Sequence, residues 1–168
     1  RRVLFRSLRD LALHNERPAI LLELALVIGT TGRTAEAAQI TQRAVALDPS
    51  NMDALEQQVS ILADTGNKDA LTQLAVSLAR SAPGSPAALY SEARLRYLLG
   101  EFAAAATLAR QLSTMLPDKP WVFELLGGAS ASAGAVDSAR QAFEAALRLS
   151  PRDVTALINL ALLELRTG

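Results

Sequence analysis

Chemistry by side chains needs a constellation of groups, and few pieces of one are present here. The one histidine is His14, and there is no cysteine. No Cys–His pair, Ser–His–Asp triad or metal-spaced cluster follows from these residue types. Gly127-Gly128 is the only glycine pair. A phosphate cradle needs such a pair between a strand and a helix, whereas this one falls inside a helical pattern. Carboxylates at Asp53 and Glu56, and at Glu16 and Glu23, are read as helix caps or solvated faces. Arg140, Arg148 and Arg152 fall near the second helix of one helical pair, and Leu95 interrupts the run of Arg94 and Arg96, so no basic track for nucleic acid is expected. Seventeen basic and seventeen acidic side chains cancel, which removes long-range attraction to phosphate or an anionic membrane. The expectation is therefore no enzyme, with no catalytic residue, cofactor, metal site or nucleic-acid partner.

The elements that would position any site are helical. Half of the residues are apolar and only 4% are aromatic. Leucine and alanine dominate the apolar set and favour helix, and the β-branched and aromatic enrichment of strands is missing. No apolar run reaches the roughly 18 residues of a membrane-spanning helix. Residues 1–10 lack an initiator Met and a signal-peptide cleavage site, so the chain is read as part of something longer.

The punctuation is periodic. Gly32, Gly66, Gly100, Gly134 and Gly168 stand 34 residues apart, as do Pro49, Pro83, Pro117 and Pro151. Pro18, Pro86 and Pro120 keep the same register, with Met52 and Val154 filling its gaps. Proline suits a first helical turn, where its missing N–H costs nothing. Asn51, Ser85 and Asp153 precede such starts and are placed to cap them. The ladder glycine ends the first helix in a left-handed conformation. A second helix follows, as over 34–47, until the next proline stops it. Phe123, Leu126 and Gly127 on one helix, with Ala139, Phe143 and Ala146 on the next, have the spacing of a buried face.

This pattern resembles the tetratricopeptide repeat family along the whole chain. The unit at 120–153 matches best and the unit at 52–85 departs most, with Val59, Leu71 and Leu78 where small residues are usual. The resemblance implies an all-α fold, an α-solenoid of antiparallel helical hairpins in a right-handed superhelix. One array over 1–168 is expected: repeats at 18–51, 52–85, 86–119 and 120–153, a second helix at 1–17 and a first helix at 154–168. Val154 to Leu165 is apolar on nearly every side, where such arrays normally end in a polar cap. Self-association through the uncapped ends is therefore expected.

By analogy with the family, the first helices line a concave groove through positions two, five, nine and twelve of each unit. The partner-binding residues expected there are Asp53, Glu56, Ser60, Tyr90, Arg94, Tyr97, Trp121 and Glu124. Three of the seven aromatics meet in this set. They are read in two ways: as a binding hot spot, or as rings filling gaps between units, with Trp121 on Pro120. The basic clamp with which some relatives hold a terminal carboxylate is missing, since Leu22, Leu26, Glu56 and Ser60 stand in its places. The function expected is a scaffold that binds a peptide or partner protein in the groove. Composition also resembles bacterial solenoids of envelope assembly and exopolysaccharide export. That likeness implies a periplasmic or cell-envelope location and raises two alternatives, a polysaccharide-handling groove and a purely structural spacer.

Overall fold

The 34-residue register becomes a register of helix starts. The computed structural model describes residues 17–167; His14 and most of the half-unit at 1–17 lie outside them. The first helices are α1 (Pro18–Gly29), α3 (Met52–Asp64), α5 (Pro86–Leu98), α7 (Pro120–Ser132) and α9 (Val154–Thr167). The second helices are α2 (Thr34–Leu47), α4 (Lys68–Ser81), α6 (Phe102–Met115) and α8 (Val136–Leu149). No strand occurs among the described residues. No helix among them is long and apolar enough to cross a membrane.

The ends of the helices follow from their residues. Asn51 and Ser85 accept hydrogen bonds from the Ala54 and Ala88 amides at 3.0 and 3.2 Å, and Asp153 accepts from Ala156 at 3.0 Å. A side-chain oxygen thereby satisfies a helix N–H that has no partner inside the helix. Asn67, three residues before Ala70, caps α4 in the same way at 3.1 Å. Gly32, Gly66, Gly100 and Gly134 take positive φ, for example 66° at Gly66 and 80° at Gly134. At Gly66, Gly100 and Gly134 the glycine N–H donates to the carbonyl three residues back, and the next N–H donates to the carbonyl five back. Two of these pairs are Gly66 to Ala63 with Asn67 to Leu62, and Gly134 to Ala131 with Ala135 to Ser130. These paired bonds form a Schellman closure, which a residue with a Cβ would strain.

The chain divides into two compact units, Arg1–Leu71 and Thr72–Gly168, with the boundary inside α4. In the first, α1 packs on α2, and α3 contacts both. In the second, α5 to α9 pack in chain order, and α7 also meets α9. Buried alanines such as Ala105, Ala109 and Ala139 line these contacts. Ala139, Phe143 and Leu163 form a cluster on which Ala131, Val136 and Leu160 pack. The expected buried face is present, although Phe123 is only half-buried.

Phe143 explains one of the two adjacent glycines. A Cβ on Gly127 would lie 2.5 Å from Phe143 Cε1 and 2.6 Å from Cδ1. The ring is 1% exposed and has little room to retreat. Gly127→Ala is expected to lower stability by up to about 2 kcal/mol: overpacking of about 1–3 kcal/mol outweighs the roughly 1 kcal/mol gained in helix propensity. Urea unfolding checks this, and an increase in stability would refute the close contact.

Candidate functional site

The eight expected contact residues fall in two places. Asp53, Glu56 and Ser60 lie on α3 in the first unit, whereas Tyr90, Arg94, Tyr97, Trp121 and Glu124 lie on α5 and α7 in the second. On α3, Asp53 is exposed in the first turn, where its charge suits the positive end of the helix dipole. Ser60 Oγ donates to Glu56 Oε1 at 3.0 Å across one turn.

The second unit brings its aromatics together. The Tyr90 and Trp121 ring centroids are 4.7 Å apart with planes at 59°. Tyr90 is 2% exposed, which corrects the expectation that its position faces solvent. The reason is local: Trp121, at the start of the next hairpin, lies against the tyrosine and covers it. Tyr90 is thus a packing residue that props Trp121, and Trp121 itself stays half-buried. Arg94, Tyr97 and Glu124 are also half-buried. Tyr97 meets Phe102 edge-on at 5.3 Å, and its hydroxyl lies 3.4 Å from Ser132 Oγ.

Gly128 belongs to this face and differs from its neighbour. A Cβ there would stand 3.9 Å from Tyr97 Cε2 and from its hydroxyl, an ordinary contact. Mid-helix glycine costs about 1 kcal/mol relative to alanine, and nothing packed on Gly128 requires it.

Three residues of the apolar α9, expected from the sequence as part of an uncapped end, also fall on this face. Ile158, Leu162 and Leu165 repeat the register of Glu124, Gly128 and Ala131, and they are 54%, 52% and 82% exposed. Adding 34 to the positions of the preceding unit assigns them to it.

The strong ion pairs stand apart from these rings. Arg96 donates to Glu101 at 2.6 Å and to Glu92 at 2.7 Å, and these carboxylates, Glu101 foremost, raise its pKa. Arg140 on α8 donates to Glu164 on α9 at 2.7 Å. The bond holds the Glu164 carboxyl below its ordinary pKa and raises that of Arg140. Both arginines are thus engaged with carboxylates. No group of three or more metal-ligating side chains occurs among the described residues.

Known proteins share this helical pattern in part of the sequence and in the fold. Residues 126–168 match the family model described as tetratricopeptide repeat. Over that stretch the chain is similar to the tetratricopeptide repeat. Solved structures agree in fold. The APC/C hetero-tetramer Cut9-Hcn1 superposes with TM-score 0.76 at 21% identity, covering 89% of this chain and 28% of that one. TTC0263, a thermophilic TPR protein of Thermus thermophilus, gives 0.70 at 19% identity, with 90% and 83% covered. MamA 41-end from Desulfovibrio magneticus RS-1 gives 0.59 at 15%, with 89% and 85% covered. The repeat array therefore spans little more than a quarter of the Cut9-Hcn1 chain that it matches. No curated protein matches the sequence.

Proposed function

We propose that these tetratricopeptide repeats form a protein-interaction scaffold, which holds a peptide segment of a partner on the first-helix face of the second unit. The observation that carries this is Trp121, half-buried and braced by the buried Tyr90 ring at 4.7 Å. A large aromatic held in one orientation loses little conformational freedom on binding, a property of interface hot spots. Tyr97, Arg94 and Glu124 flank it and supply hydrogen-bonding and charged groups. The repeat family implies protein partners, and the Cut9-Hcn1 relative is itself part of a hetero-tetramer. Asp53, Glu56 and Ser60 would form the corresponding face of the first unit.

Peptides selected from a random display library on the 168-residue chain test the reading. Tyr90 must stay intact, because removing a buried ring would test folding instead. The double variant Tyr97→Ala with Trp121→Ala is expected to retain its helical circular dichroism and to bind selected peptides about tenfold or more weaker. Undiminished binding by the folded double variant would overturn the proposal. So would a Trp121 fluorescence response to oligosaccharides with none to peptides.

A further inference from the structure

We infer that Gly128 is a receiving notch, on which a bulky apolar side chain of the bound peptide seats beside the Tyr97 ring. This rests on the peptide-binding reading above and names the chemistry of the segment that is held.

The two neighbouring glycines carry the argument. Gly127 is demanded from within, because Phe143 occupies the space of its side chain. Gly128 is not: the nearest heavy atoms to its absent Cβ belong to Tyr97 at 3.9 Å. A helix-weakening residue therefore stands mid-helix, on the outer face, with no internal cause. The space it leaves has a tyrosine ring on one side. One unit further along the register, Ile158, Leu162 and Leu165 offer exposed aliphatic surface on α9, which packs against α7. Leu162 holds on α9 the place that Gly128 holds on α7, so the surface is low at Gly128 and rises again at Leu162.

Charge selects the occupant. This face carries one base, Arg94, and one acid, Glu124, which cancel. Neither Tyr97 nor the three α9 residues bear charge. The complement of an uncharged notch bounded by a ring and aliphatic groups is an uncharged apolar side chain, such as phenylalanine or leucine. Glu124 stands one turn from Gly128 but is offset by Arg94, so a lysine or glutamate seated there would lose water for little net ionic gain.

The probes are acetylated, amidated Ala-Ala-X-Ala-Ala peptides with X as Phe, Leu, Lys or Ser, titrated into the isotope-labelled 168-residue chain. Amide resonances, that of Gly128 above all, are followed by NMR. The Phe and Leu peptides are expected to shift the Gly128 amide saturably, and the Lys and Ser peptides not. Gly128→Ala is expected to raise the melting temperature by about 2–4 °C and to weaken the Phe peptide about tenfold or more. Gly128→Leu, which fills the notch, should abolish the shift of the neighbouring Tyr97 resonances. Equal response to all four peptides, no saturable shift at Gly128, or unchanged affinity in Gly128→Ala would each overturn the inference. Library-selected peptides separate its failure from that of the parent proposal. If they bind and are lost with Tyr97 and Trp121 but tolerate Gly128→Leu, the scaffold stands and the notch falls. If none is selected, the scaffold itself falls.

Discussion

Phe143→Ala is expected to destabilise the second unit by about 3–5 kcal/mol, the usual cost of emptying a buried aromatic site. The ring is 1% exposed and shares a cluster with Ala139 and Leu163. Its neighbours cannot collapse into the void easily, because Gly127 opposite has no side chain to extend. Leu163 belongs to α9, so docking of the last described helix depends on the same ring. Total stability of a domain is about 5–15 kcal/mol, which makes this loss a large share. The denaturation midpoint should fall sharply. Gly127→Ala combined with Phe143→Leu should cost less than the sum of the two changes, since a leucine leaves the overlapped volume free. A loss under about 1 kcal/mol for Phe143→Ala would mean that the ring does not hold this core together.

Gln58→Leu is expected to do the opposite and stabilise by about 1–2 kcal/mol. Gln58 is 8% exposed on α3, and no donor among the described residues reaches its Oε1. A buried acceptor without a hydrogen bond retains the full cost of leaving water. The register supplies the remedy: Leu24, Leu126 and Leu160 stand at the same place in their units. Leucine has nearly the same reach, removes the stranded oxygen and adds apolar area. A melting temperature raised by several degrees would agree, and a decrease would show that the amide has a partner worth keeping.

The architecture was legible because periodicity is a one-dimensional property. The prolines at 18, 86 and 120 and the ladder glycines mark helix starts and stops through local sterics alone, and the caps at Asn51, Ser85 and Asp153 need only neighbouring residues. Asn67 carries the same capping signal without a proline beside it, as an Asn directly after a ladder glycine. The site was less legible. Register assigns Tyr90 to a side of its helix, but its burial depends on Trp121, 31 residues later, folding over it. Gly127 and Gly128 are indistinguishable as letters, and only the placement of Phe143 separates a packing requirement from open space. The exposure of Ile158, Leu162 and Leu165 likewise depends on what covers α9, which no pattern within α9 encodes.

The paired amide bonds behind Gly100 and Gly134 bear on how quickly the second unit assembles. Each fixes the angle between two helices through residues at most five apart. A hairpin then closes a loop of a few residues before any distant pairing is needed, and loop closure that short costs little entropy. Folding of such a chain is governed by local contacts, the regime of fast folders. Any hairpin whose glycine turn forms first can serve as the seed from which its neighbours zip outward.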